Sequence, residues 1–220
     1  MSILAGDLAA AWAQRLLLEI ELPPERIAWA ALELARVHEE VVMGQILDVR
    51  GAASDARAVE AMHALKTASY SVRGPVLIGA RLAGASEDQI HALKAFAEPL
   101  GVAFQLRDDV LGVFGDPVAT GKPAGSDLRE GKRTALVVDA LRDVRAADAL
   151  DRVLGRRGAS DADLREAVAR IEACGTLARI EARITELTGD ARAALAQAAL
   201  APGGRALLEP AIDVLTERRS

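Results

Sequence analysis

Cysteine is nearly absent from this chain. The single thiol, Cys174, excludes an intramolecular disulfide and suits a reducing compartment, so the expected location is the cytoplasm. Its ordinary role is that of a small core residue. Aromatic side chains are scarce, at 3% of 220 residues. No stretch reaches the roughly 20 uncharged apolar residues that a spanning helix requires, which excludes a transmembrane segment. Met1 to Ile20 is apolar but carries Asp7 before any basic residue, so the basic start and cleavage site of a signal peptide are missing. An excess of positive charge is missing too. The formal net charge of −5 argues against a nucleic-acid partner. Strand-like alternation, internal repeats and low-complexity linkers are not seen.

What remains is helix-forming material. Alanine, leucine, arginine and glutamate dominate, and 51% of residues are apolar. The length fits a single domain over 1–220 with a sizeable core. Periodicity predicts helices over 3–20, 25–50, 56–73, 75–84, 86–114, 132–146, 160–190, 191–199 and 203–218. Pro23-Pro24 suits a first helical turn, and Ser86 and Ser160 begin helices with capping chemistry. Gly74-Pro75 is expected to kink or break its helix, and Gly155 to Gly158 forms a short loop.

Gly115 to Gly131 stands apart. Four glycines (115, 121, 125, 131) with Pro117 and Pro123 exclude a regular helix, and a loop this long in a helical chain is usually functional. It follows a helix whose Leu106, Val110, Val113 and Phe114 share an apolar face, leaving Gln105, Asp108, Asp109 and Gly112 roughly opposite. Those acids therefore face solvent or, in a bundle, a central cavity. Paired carboxylates hold Mg²⁺, and lysines hold phosphate oxygens. The loop supplies Lys122, Arg129, Lys132 and Arg133, with glycine N–H groups open to an anion. It is not a P-loop, because Lys122 precedes proline and not Ser or Thr. Upstream, Lys66-Thr67 lies mid-helix, and Gln45 and Asp48 lie one turn apart on the second helix, able to face one cavity. Taken singly, each is also what a snorkelling lysine or an ordinary polar face would show.

In order and spacing, Ile3-Leu4-Ala5-Gly6-Asp7, Gly44-Gln45-Ile46-Leu47-Asp48, Lys66-Thr67-Ala68, Phe104-Gln105-x-x-Asp108-Asp109, Gly115-Asp116, Gly121-Lys122-Pro123 and Gly125 to Thr134 resemble trans-isoprenyl (polyprenyl) diphosphate synthases. The resemblance implies an all-α isoprenoid-synthase bundle around a central cavity. It implies Mg²⁺-dependent condensation of isopentenyl diphosphate with an allylic diphosphate. It casts Asp108 and Asp109 as metal binders, and Lys66, Lys122 and Lys132 as contacts to the allylic diphosphate. Gln105 and Thr67 would line the reaction centre and help with proton loss.

Two departures follow. The family's second aspartate-rich motif reads Asp-Asp-x-x-Asp, but its last position here is Gly112, and Asp116, one turn further, is the expected weak substitute. The first aspartate-rich motif with its arginine pair has no counterpart: Asp7 stands alone and Arg156-Arg157 follows no such motif. By resemblance the chain corresponds to the C-terminal two-thirds of an incomplete bundle. It is expected to need an N-terminal segment or a partner chain carrying that motif, to have little activity alone, and to form a homodimer or hetero-oligomer. The alternatives are a non-catalytic subunit that modulates a synthase and, below it, a terpene cyclase.

Overall fold

Every regular element in the computed structural model, which describes residues 1–51, 55–121 and 123–217, is helical, as an all-α chain requires. The order is α1 (Ser2–Leu18), α2 (Pro24–Val49) and α3 (Ala56–His63). A π-helical stretch, Ala64–Arg73, follows and runs into α4 (Gly74–Ala83). Then come α5 (Glu87–Phe114), α6 (Pro117–Thr120), α7 (Ser126–Glu130), α8 (Ala135–Ala140), α9 (Val144–Asp151), α10 (Asp161–Ala173), α11 (Thr176–Gln197) and α12 (Pro202–Thr216).

Local chemistry sets most of these limits. Asp55, Ser86, Thr134, Asp143 and Ser160 each accept a hydrogen bond from a backbone N–H of the first turn they precede, and Ser86 forms a reciprocal capping box with Gln89. Three expected boundaries move. The predicted helix 132–146 is two helices, because Asp143 caps a fresh start at α9. The predicted 160–190 helix breaks at Gly175, which takes φ +78°, and α11 then continues unbroken through the 191–197 region. Gly74-Pro75 does not end the helix: the π stretch runs directly into α4, with Pro75 as the second residue of α4. The irregularity appears one step earlier, as the π stretch that replaces the second half of the predicted 56–73 helix.

α5 is the central strut. Its Val102, Ala103, Leu106, Val110 and Val113 pack into one large core with α8, α9, α10 and α11. Its other half, Phe96, Ala97 and Leu100, meets Val72, Ala191, Leu195 and Ile212. Each such fully buried Leu, Ile or Phe contributes about 1.5–3 kcal/mol. Arg107 clamps the arrangement: its guanidinium donates to both oxygens of Glu181 (2.6 and 2.7 Å) and to the Thr216 carbonyl (2.8 Å), joining α5, α11 and α12. On the other side α2 lies along the π stretch and α4, while α1 rests on α2 with only Leu17 buried. Leu4, Leu8, Trp12 and Leu16 of α1 are exposed. Among the described residues, no helix is long and apolar enough to cross a membrane.

Candidate active site

Three helical segments converge where two glycines allow it. A Cβ on Gly44 of α2 would sit 2.5 Å from the Lys66 backbone nitrogen, and one on Gly101 of α5 would sit 2.5 Å from Ala68 Cβ. The π stretch is thus gripped on both sides at close range, which fixes Lys66 and Thr67 between α2 and α5. π-helical turns of this kind recur at functional sites because the extra residue per turn re-aims side chains.

Above this junction lies an open cavity of about 270 Å³. Lys66 and Thr67, Gln105, Asp108 and Asp109 of α5, and Lys132, Arg133 and Thr134 of the glycine-rich loop line it, with Asp48, Met62, His63 and Asp127. The sequence-predicted residues Lys66, Thr67, Gln105, Asp108, Asp109 and Lys132 are therefore brought to one place. Lys122 lies outside the described residues. Gln45 is exposed and does not line the cavity, although Asp48 does. Asp127 and His63, which sequence reasoning did not select, both do.

The two α5 aspartates differ in setting. Asp108 is exposed. Asp109 is 3% exposed, so the expectation that both acids point away from packed surface holds only for the first. Asp109 Oδ1 accepts from Gln105 Nε2 at 2.9 Å, while its Oδ2 is buried with no hydrogen-bond partner. Burial pushes the Asp109 carboxyl up to about 7, the negative charges of Asp108 and Asp127 add to this, and the bonds from Gln105 and the Ala135 N–H offset part of it. His63 Nδ1, also unpartnered, lies 3.8 Å from Asp109 Oδ2. Burial and then the Lys66 charge hold the imidazole down to about 4, against a smaller upward pull from Asp48, so at neutral pH this contact is not an ion pair.

The two lysines are partnered. Lys66 Nζ donates to Asp48 Oδ2 at 2.5 Å. Lys132 Nζ bridges Asp127 Oδ1 (2.6 Å) and Glu130 Oε2 (3.1 Å). Burial works to lower the Lys132 ammonium, but its two carboxylate partners outweigh that and hold it above its usual range. Both lysines remain partly solvent-facing, so an incoming polyanion can compete for them.

The loop is ordered by turn chemistry. Asp116 caps α6 by accepting from Val118 N–H (2.9 Å), and Gly121, Gly125 and Gly131 take positive φ. Leu128, fully buried, plugs α7 into the main core, and its carbonyl accepts from Gly155 N–H at 2.9 Å.

Among the described residues, no group of three or more His, Cys, Asp or Glu side chains is arranged as a preformed cation cage. The donors still suit a hard cation that arrives with its anion. Mg²⁺ keeps several waters and takes one or two carboxylates plus substrate phosphate oxygens. The exposed Asp108 and the unpartnered Asp109 Oδ2 match that demand.

The chain belongs to the polyprenyl synthetase family, whose model matches residues 1–171. It is 35% identical over 172 residues to the short chain isoprenyl diphosphate synthase of Methanocaldococcus jannaschii, covering 76% of this chain and 52% of that protein. It is 30% identical over 210 residues to the nonaprenyl diphosphate synthase of Mycobacterium tuberculosis, covering 94% of this chain and 61% of that one. The fold matches the crystal structure of geranylgeranyl pyrophosphate synthase from Corynebacterium glutamicum, complexed with isoprenyl diphosphate and magnesium, with a TM-score of 0.91 and 38% identity over 99% of this chain and 63% of that chain. The chain thus spans between half and two-thirds of the length of these relatives.

Proposed function

We propose that this chain supplies one wall of a prenyl diphosphate synthase site, in which isopentenyl diphosphate is condensed with an allylic diphosphate. The observation that carries the reading is the single cavity lined by Lys66, Thr67, Gln105, Asp108, Asp109 and Lys132. In this reading Asp108 and Asp109 hold Mg²⁺. When bound, Mg²⁺ neutralises charge on the departing diphosphate. Lys66 and Lys132, with Lys122, bind the allylic diphosphate oxygens and leave their resting partners Asp48 and Asp127 to do so. The allylic C–O bond breaks with its electron pair leaving on the diphosphate. The isopentenyl double bond forms the new C–C bond, and one proton is lost. Thr67 and Gln105 line the reacting centre, and Gln105 also fixes Asp109 through its 2.9 Å bond.

A second acidic cluster, with its arginine pair, is proposed to come from another segment or a partner chain and to face this wall. Two features support that: the cavity is open, and the apolar side chains of α1 and α2, among them Leu8, Trp12, Val42 and Met43, are exposed. Self-association or hetero-oligomerisation through these helices, and a cytoplasmic location, belong to the same proposal. The test is turnover of isopentenyl and allylic diphosphates with Mg²⁺, by the chain alone and with a chain carrying the facing motif. Weak turnover alone and strong turnover together is expected, and Asp108→Ala should abolish it. Full turnover by the Asp108→Ala complex would leave this chain a non-catalytic subunit.

A further inference from the structure

The position that departs from the family pattern, Gly112, has a physical counterpart 15 residues on. A Cβ built on Gly112 would fall against the Asp127 carboxylate, 2.5 Å from Cγ and closer still to Oδ2. No side chain fits at 112 while Asp127 stays where it is. Asp127 is itself buried, at 5% exposure, and it is held from three directions. Its Oδ1 accepts from Lys132 Nζ at 2.6 Å, its carbonyl accepts from Lys132 N–H at 3.0 Å, and its neighbour Leu128 is sealed in the core. Asp116 is not among the side chains that line this cavity, and its Oδ1 caps α6.

We infer that Gly112 is a notch that admits the Asp127 carboxylate, so that the third acid of this site comes from the loop and not from the α5 helix. The inference deepens the proposed function and rests on it for the ligand, but the notch itself is a packing statement. Restoring the aspartate that the family pattern has at 112 should therefore harm the site, although it adds the expected residue. The new side chain would displace Asp127, and with it Lys132, while Leu128 resists the shift. Gly112 is the positioning residue here: it decides where the Asp127 carboxylate stands in the cavity that Asp108 and Asp109 also line.

The test uses the full chain in four forms: wild type, Gly112→Asp, Asp127→Ala and the double variant. Affinity for inorganic pyrophosphate is measured by calorimetry with and without Mg²⁺. Each single variant should lose at least roughly tenfold in Mg²⁺-dependent affinity, as misplaced metal-site supports do. The double variant should recover to within about threefold of wild type, because a carboxylate again occupies the notch. Gly112→Asp binding as well as wild type, or a folded double variant no better than either single, would overturn the inference. A parallel measurement is independent of any ligand: Gly112→Ala should lower the Tm by about 3 °C or more, and adding Asp127→Ala should restore it. An unchanged Tm in Gly112→Ala removes the notch whatever the calorimetry gives. If wild type binds no Mg²⁺–pyrophosphate while the Tm effects appear, the notch stands as packing, but its role in the site falls with the diphosphate reading.

Discussion

Asp109 and His63 are neighbours whose ionisation is displaced in opposite directions, and this has a measurable consequence. Asp109 is held near 7 in the folded chain, against 3.8 for an ordinary aspartate. The folded state therefore binds more protons than the unfolded one between those values, and this group's contribution to stability falls as pH rises through that window. His63 is held near 4, against 6.5. The folded state there binds fewer protons, so its contribution rises with pH between about 4 and 6.5. The two largely cancel in the wild type. Asp109→Asn should unmask the rise and His63→Asn the fall, each by about 1–3 kcal/mol across the window, as read from denaturant unfolding at a series of pH values. Lys66 makes a different case. Its pair with Asp48 is one-third exposed on the lysine side, so Lys66→Met should cost under about 1 kcal/mol of stability. The same change removes a charge-assisted contact worth about 1.5–3 kcal/mol to a phosphate group, so Mg²⁺–pyrophosphate affinity should fall by roughly 10- to 100-fold. Equal losses in unfolding and binding would assign Lys66 to the fold alone.

At the level of elements, the site depends on close helix approach. Gly44→Ala puts a methyl carbon against the Lys66 backbone, which cannot rotate away as a side chain can. The expected cost is about 1–3 kcal/mol, with a loss of pyrophosphate affinity beyond that of a surface substitution of equal destabilisation. Leu128→Ala addresses the other support. It empties a fully buried position under α7 and should cost about 2–5 kcal/mol. Because α7 carries Asp127 and precedes Lys132, proteolysis near 121–131 should accelerate ahead of global unfolding. Much of this element layer was legible beforehand. The acidic helix, the irregular loop and the Ser86 and Ser160 starts follow from apolar spacing and capping residues, which act within a few residues of themselves. The π stretch was not legible, because Ala64 to Arg73 reads as ordinary helix, and its close seating against Gly44 of α2 and Gly101 of α5 is a contact between distant segments.

For the molecule as a whole, the exposed apolar side chains to explain are those of α1. Leu4, Leu8, Trp12 and Leu16 recur at helical spacing and remain exposed, a contiguous apolar stripe of the kind that marks an interaction surface. The chain should therefore associate in solution. Leu8→Glu with Trp12→Glu should reduce the mass seen by light scattering while leaving the Tm within about 2 °C, since neither side chain is in the core. An unchanged mass would place any association elsewhere.

Composition, periodicity and the run from Phe104 to Thr134 were enough to establish a helical chain with acids before a basic glycine-rich loop, because helix propensity, capping and turn formation are local. The resemblance to the polyprenyl synthases, and not composition or spacing, singled out Lys66, Thr67, Gln105, Asp108, Asp109, Lys122 and Lys132 as a site. Tertiary structure decided the rest. It separated Asp109 from Asp108 by burial, withdrew Gln45, added His63, and set Asp127 into the space left by Gly112. Those outcomes depend on which side chains meet across helices 15 to 50 residues apart, and no spacing within one helix contains that information.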